Sequence, residues 1–496
     1  MAPKGKNAST IAAKIGLEVQ HRGQEGGGMA TQTLDGVVHL HKKAERFGKI
    51  FRNTNVLERH SLKGELAIIQ TRYRTTGPAD DPEFAQPMLI QVGDRHLIGA
   101  HNGNIANAEE LYDEQRSRGI KLRTQGIDRP VSDSEVLFSR IANAPGADSV
   151  ERMIRGLEKV EGSFSIVTVT SDNEMIAARD PWGIRPLNFG RLNGHWVVAS
   201  ETNALDKIGA VEQREIEKGE MWRFRQGKDP EGTIYDSTRP KKFCDLEDWY
   251  FLWPSSQRNG IEASEVREVA GTVLADEELW FGRKRDVDLV TCVPDTGRSS
   301  AVPFAETLNL PYRDRIFKER YDDKGQRSFI ASNDVLRVRI LEDKYIISKS
   351  LAGKKIYLLD DTAIRLRTME VLIKALKEQI KVDEVHLRLP APKFKRPCVL
   401  GTNINDRREL GAIEFKNGVW VEKSDEQIAD EFGADSVAFL TMHGRDRVRE
   451  KFGENPRDFC GYCHGDDGPD FDMTRYDPEV LLEGQRRFVP LQLIGV

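Results

Sequence analysis

Residues at three places in the first third of the chain have the chemistry to hold an amino acid. Arg72, closing the apolar run ELAIIQTRY (65–73), can grip an α-carboxylate through two parallel N–H donors. Asp133, in SDSEVL (132–137), can hold an α-ammonium. Asn102 and the Gly103 amide, in AHNGNIANAEEL (100–111), can polarise a carbonyl as an oxyanion hole does. A plainer reading stands beside this one: Asn-Gly is a common hairpin turn and Ser132 a good helix N-cap. In the second half, LLDDTAIRLRT (358–368) sets Asp360 and Asp361 at the end of an apolar strand. Adjacent acids there suit ribose hydroxyls and Mg2+, and the loop and helix start that follow suit a 5′-phosphate. A capped, solvated first turn is the alternative. Cys460 and Cys463 form a C-x-x-C pair, which suits a redox couple, half a zinc site, or neither.

Strands and helices must position these groups. Short strand patterns at 36–41, 65–73, 96–101, 163–170 and 196–200, with helical patterns over 134–143 and 148–159, predict a layered α+β first half. The second half alternates: apolar runs at 287–294 and 355–361 each precede a helical pattern, 299–308 and 364–378, and 383–390 is a further strand. That order predicts a parallel sheet with crossover helices. The boundary is expected within 226–242, and an irregular Gly-, Asp- and Pro-rich tail from about 455.

A chain of 496 residues has room for two to four domains. With 39% hydrophobic and 31% charged residues it can build real cores, which argues against disorder. The net charge of −5 gives no electrostatic reason to bind nucleic acid or a membrane. No run approaches the roughly 18 to 20 apolar residues of a membrane span. Residues 1–9 are basic and polar with no apolar core behind them, unlike a secretory signal. Five cysteines are too few and too uneven for a disulfide-stapled fold, so a cytoplasmic chain with reduced thiols is expected. Cys292, inside a strand pattern, reads as a core thiol.

Taken together, QHRGQEGGG (20–28), TRYRTTG (71–77), AHNGNIANAEEL, SDSEVL, DPWGIRPLNFGR (180–191) and VVASETNALDKIGA (197–210) resemble the glutaminase domain of the amidophosphoribosyltransferase family. The resemblance implies an α+β N-terminal-nucleophile glutaminase-like layered domain (α/β/β/α) over 1–240. It implies an α/β type I phosphoribosyltransferase domain over 241–454 and a C-terminal tail carrying the C-x-x-C over 455–496. By position, Arg72, Thr75 and Asp133 would grip glutamine, and Asn102 and Gly103 would form the oxyanion hole. Asp360, Asp361, Arg365 and Thr368 match the phosphoribosyl motif. VPDTGRSSA (293–301) resembles its pyrophosphate loop, with Thr296 at a hydroxyl position associated with Mg2+. KERYDDKGQRSFI (318–330) resembles the flexible catalytic loop, with Lys318, Arg320, Tyr321 and Arg327 in matching places. Cys244, Cys398, Cys460 and Cys463 fall in the slots of one subclass's 4Fe–4S ligands. A four-cysteine zinc site is the rival, and His464 an alternative ligand.

The chain departs from the family text in two places. The family opens on a Cys whose thiol attacks the glutamine amide while its free α-amine serves as base. Here no Cys precedes Cys244, and the family's first strand is missing. A start set downstream or a loss of glutaminase chemistry accounts for this. Leu366 and Arg367 stand where the family has Gly and a small polar residue, and Leu366 would obstruct the phosphate cradle. Asp322 and Asp323 put two acids in the loop expected to clamp a diphosphate. The implied activity is glutamine-dependent conversion of phosphoribosyl diphosphate to 5-phosphoribosylamine, the entry to purine synthesis. Purine nucleotides would be inhibitors, and the chain a homodimer or homotetramer. A catalytically silent or ammonia-dependent paralogue is the rival.

Overall fold

The computed structural model describes residues 1–53, 55–73, 80–124, 131–318, 345–364, 367–404 and 406–476. Its first domain is four layers. The outer helices are α4 (Ala108–Ser117), α5 (Asp133–Asn143) and α6 (Ser149–Leu157). They pack Leu111, Val136, Phe138 and Met153 onto Ile166 and Ile176 of a six-stranded sheet. In spatial order that sheet runs β12 (Glu231–Ile234), β11 (Glu220–Phe224), β7 (Met175–Arg179), β6 (Gly162–Thr170), β5 (Arg95–Ile105) and β4 (Met88–Val92). Its other face meets two three-stranded sheets through Ala30, Ile68, Ile98, Val169, Ala177 and Phe189. One is β2 (Val38–Lys43), β1 (Gly26–Gln32), β3 (Leu66–Arg72); the other is β10 (Val211–Glu215), β8 (Asn188–Leu192), β9 (His195–Ala199). The fourth layer is α1 (Ser9–Glu18), α2 (Phe47–Phe51), α3 (Asn55–Arg59) and α7 (Thr202–Ile208). This is the expected α/β/β/α arrangement. Ser132 caps α5, its hydroxyl accepting the Glu135 N–H at 3.3 Å, which places Asp133 in the first turn.

The second domain is a parallel sheet in the order β16 (Leu289–Cys292), β19 (Lys355–Leu359), β20 (Glu384–Leu389), β23 (Ser436–Phe439). Helices α8 (Ala263–Trp280) and α9 (Arg298–Thr307) belong to it, as do α10 (Arg367–Lys374), α11 (Asp425–Phe432) and α12 (Met442–Lys451). β19 reads KIYLL without polar alternation because both faces are covered: Tyr357 and Leu359 face one core, Ile356 and Leu358 the other. Small antiparallel pairs complete the domain: β14 (Gln257–Arg258) with β15 (Ile261–Glu262), β17 (Ile316–Lys318) with β18 (Tyr345–Ile347), and β21 (Ile413–Lys416) with β22 (Val419–Glu422).

The polar stretch in which the boundary is expected also holds β12, which pairs with β11 at the edge of the six-stranded sheet, so that sheet runs to Ile234. The segment from 455 is folded, not irregular, through Tyr476. β24 (Phe459–Cys460) lies parallel to β13 (Phe243–Cys244), with Cys244 opposite Cys460. Tyr462, Met473 and Tyr476 enter the second-domain core. These apolar residues are scattered among Gly and Asp with no helix or strand period. Tertiary contacts order the segment where propensity does not.

The domains are locked by buried charge. Arg22 donates to Glu201 and to Glu247, each at 2.7 Å, and Glu247 also accepts from Arg185 at 2.9 Å. Glu201 further accepts the Trp253 N–H and the Ser256 hydroxyl. Burial opposes ionisation of Glu201, but His21 and Arg22 hold it down at about 2. A carboxylate depressed on folding stabilises above its unfolded pKa and loses that contribution as pH falls through the folded one. Glu201→Gln should therefore cost about 3 kcal/mol near neutrality. The difference from wild type should shrink steadily as pH drops from 4.5 toward 2. Urea midpoints across that range test this; a pH-independent difference would refute it.

Candidate functional site

β3 and β9 turn unpaired edges, among the described residues, toward a cavity of about 150 Å3. Its walls include Gln70, Thr71 and Tyr73, then His101, Asn102 and Gly103 of β5, with Ser134, Ser165 and Gly401. Three polar atoms of wall residues are buried without a partner among the described residues: the Asn102 Nδ2 and Arg22 Nε donors and the Gln70 Oε1 acceptor. Spare donors and a spare acceptor on residues that line one cavity suit a polar ligand such as an amide. Gly103 is at φ +150°, and a Cβ there would stand 2.0 Å from the Ser163 carbonyl oxygen, so only glycine fits. Arg72 and Asp133 are buried beside the cavity, each next in sequence to a wall residue. Asp133 accepts the Ile105 N–H at 3.2 Å, and Arg72 lies over the Phe84 ring.

A buried clamp holds the end of β5. The Gln86 side chain accepts the His101 N–H at 2.7 Å and donates to the His101 carbonyl at 3.3 Å and to Ser134 Oγ at 3.0 Å. His101 Nδ1 is 2.9 Å from Ser134 Oγ, and burial lowers its pKa. None of these contacts was legible in the sequence, although His101 lies inside a motif that was.

At the C-terminal edge of the parallel sheet, the sequence-predicted groups do converge. The Thr296 hydroxyl donates to Asp361. Burial pushes the Asp361 carboxyl up, against that bond and the charge of Arg267. Gly297 is required: a Cβ would stand 2.9 Å from the carbonyl oxygens of Leu359 and Val293. Lys318 Nζ sits 2.6 Å from Asp295, which places it over the same loop. Tyr345, missed in the sequence, faces this edge; burial and the charges of Asp360, Asp361 and Asp295 raise its pKa. Thr75, Arg320, Tyr321, Arg327, Arg365 and Leu366 lie outside the described residues, as do Asp322, Asp323 and the side chains of Arg367 and Thr368.

The four predicted thiols also meet. Cys244 and Cys460 are register partners on β13 and β24, and Cys463 feels the charges of Cys398, Cys244 and Cys460. Burial raises Cys460 and Cys463 and pushes Cys244 up to about 12, Arg185 opposing from 3.9 Å. Among the described residues no three His, Cys, Asp or Glu side chains are close enough to hold a single metal ion. His464 is turned to the Lys393 carbonyl at 3.1 Å, and Cys292 is a core thiol 3.3 Å from the Tyr312 hydroxyl.

A layered domain with an amide-sized pocket, joined to a parallel sheet with paired acids at its edge, defines a two-domain amidotransferase. Residues 71–207 match the family described as Glutamine amidotransferase domain. The amidophosphoribosyltransferase of Synechococcus elongatus is 34% identical over 453 residues, 90% of this chain and 85% of that one. The Bacillus subtilis amidophosphoribosyltransferase is 31% identical over 449 residues, 90% and 87% of the two chains. The solved B. subtilis glutamine phosphoribosylpyrophosphate amidotransferase, complexed with ADP and GMP, matches with a TM-score of 0.81 at 29% identity, over 96% and 98% of the chains. This chain belongs to the amidophosphoribosyltransferase family.

Gln86→Ala would orphan the buried His101 N–H and remove one donor to Ser134 Oγ, which keeps His101 Nδ1, and should cost about 2 to 3 kcal/mol in urea unfolding. Gln91→Ala, whose side chain only reaches the nearby Gly93 carbonyl on the surface, should stay within about 0.5 kcal/mol. Equal effects would show that the clamp does not hold β5.

Proposed function

We propose that this chain makes 5-phosphoribosylamine. In the first domain, Arg72, Thr75 and Asp133 bind the glutamine α-carboxylate and α-ammonium. Asn102 Nδ2 and the Gly103 N–H donate to the side-chain carbonyl as it gains negative charge. Hydrolysis leaves glutamate and ammonia. Ammonia then attacks C1 of phosphoribosyl diphosphate: a C–N bond forms, the C–O bond to diphosphate breaks, and nitrogen gives up a proton. Asp360 and Asp361 hold the ribose hydroxyls, and Arg365 and Thr368 the 5′-phosphate. Lys318, Arg320, Tyr321 and Arg327 bind the leaving diphosphate. Thr296, Asp360 and Asp361 would hold Mg2+, which supplies charge neutralisation when bound. Two carboxylates and a hydroxyl fit an ion that takes most of its ligands from phosphates and water. One observation supports this reading: Gly401, from the second domain, forms a wall of the first-domain cavity, so the second domain abuts the proposed glutamine pocket.

A second reading has its own support. None of the five cysteines lines the cavity, which favours ammonia-dependent transfer by these residues alone. Cys244, Cys398, Cys460 and Cys463 fit an iron–sulfur cluster. Cys244 and Cys460 are buried and Cys398 and Cys463 half-buried, and four thiols from distant segments suit cluster ligation, with a four-cysteine zinc site the rival. The cluster would tie the 455–476 segment to the domain. Purine nucleotides are the proposed inhibitors, a homo-oligomer the working form and the cytoplasm its location. No helix among the described residues is long and apolar enough to cross a membrane.

Anaerobic diphosphate release from phosphoribosyl diphosphate and Mg2+ should appear with ammonium. Asp361→Asn should lower it by about 100-fold or more. Release with glutamine as well supports the first reading, release with ammonium alone the second, and release with neither overturns both. Purified protein should carry iron and acid-labile sulfide that Cys460→Ser removes; stoichiometric zinc instead would overturn the cluster assignment.

A further inference from the structure

Residues 399–402 cross from the second domain and lie against the active end of β5 and β6. The Val399 carbonyl accepts from Asn104 Nδ2 at 2.9 Å. The Leu400 carbonyl accepts the Ser163 hydroxyl at 2.7 Å and Arg185 Nη2 at 3.0 Å, and Thr402 Oγ1 accepts from the same nitrogen at 3.1 Å. Gly401 sits at φ +94°, pressed on the peptide that follows the oxyanion strand's glycine. A Cβ on it would stand 2.8 Å from the Gly103 carbonyl carbon and 3.0 Å from its Cα and oxygen. At its other end the strap starts from Cys398, whose Sγ accepts the Leu400 N–H at 3.4 Å. Asn102, one residue from Gly103, carries an unpartnered donor of the cavity.

We propose that residues 399–402 are a positioning strap for the glutamine pocket: Gly401 fixes the Gly103 peptide, and the Leu400 carbonyl fixes Ser163 beneath it. The donors at Asn102 and Gly103 are then aimed by a segment of the other domain. The same segment carries Cys398, so whatever orders the four-cysteine site also orders the amide pocket. The argument rests on the proposed glutamine reading, because aimed donors matter only if an amide carbonyl meets them.

Gly401→Ala and Ser163→Ala test it in the full chain. Ser163→Ala is the milder change, removing one hydroxyl bond to the strap and leaving the backbone free of strain. Amide hydrogen exchange without ligand should accelerate about tenfold or more at residues 102–104 in both variants, while the amides of β19 keep their protection. Glutamine affinity by calorimetry should fall about tenfold, with phosphoribosyl diphosphate affinity within twofold of wild type. Unchanged exchange at 102–104 in both variants overturns the strap. Equal losses for the two ligands also overturn it, as general destabilisation. Wild-type protein that binds no glutamine, with exchange still accelerated in the variants, sinks the glutamine reading and leaves the mechanical coupling standing.

Discussion

The guanidinium of Arg185 is the group on which the assembly turns. It is 2% exposed, yet it touches Glu247, the Leu400 carbonyl and Thr402, and stands 3.9 Å from Cys244 Sγ. Its own carbonyl accepts the Ser165 hydroxyl on the cavity wall. A buried cation is tolerated only when partners offset its desolvation; here Nη1 and Nη2 are met, while Nε has no hydrogen-bond partner among the described residues. Here the partners come from the segment that opens the second domain, from the strap that follows Cys398, and from the cysteine site. Moving any one of them strands the charge. The fold is therefore over-determined where two domains, a cavity and a thiol cluster meet. A planar fork of five donors can serve that many partners; a lysine could not.

The same logic explains why the thiols belong together. Cys244 and Cys460 are buried and Cys398 and Cys463 half-buried, and desolvation raises Cys244, Cys460 and Cys463. A second band of buried charge surrounds them: Asp245 with Arg445 and Arg449, and Asp248 with Arg258 and Arg449. These pairs fix the segment after Cys244 against α12, and the β13–β24 pairing brings Cys460 to it. The chain thus brings together thiols 216 positions apart by means of ion pairs and a two-residue ladder, not by a contiguous motif.

What the sequence made legible is what is local. The Ser132 cap and the acids after β19 are set by neighbours in the chain, and the structure finds them where their spacing implies; Asn102-Gly103, read as a hairpin turn in the plainer reading, lies instead inside β5, paired with Ser165 and Phe164 of β6. The layered first domain and the parallel second sheet follow from periodicity in the same way. The Gln86 clamp, the Arg22–Glu201 bridge and the strap against Gly103 were not legible. Each joins residues between 15 and roughly 300 positions apart, and a glutamine or a glycine at one end carries no mark of its partner. The short strand β12 was hidden in a polar stretch because an edge strand buries little. The segment after 455 read as irregular because its order comes from the core it joins.

The C-terminal edge of the parallel sheet shows how unequal electrostatics divide it into a fixed part and an exchangeable one. The Thr296–Asp361 bond is buried and seated on a loop whose Gly297 has no space to move. Distorting it would expose a buried carboxyl and break the packing of β16 against β19. The Lys318–Asp295 pair above it is 40% and 75% exposed. An exposed pair of that kind is worth about 0 to 1 kcal/mol. Lys318 can therefore leave Asp295 for another anion with little loss, while the Thr296–Asp361 pair stays fixed. The exchange of one partner for another falls on the weak interaction, and the geometry needed for chemistry rests on the strong one.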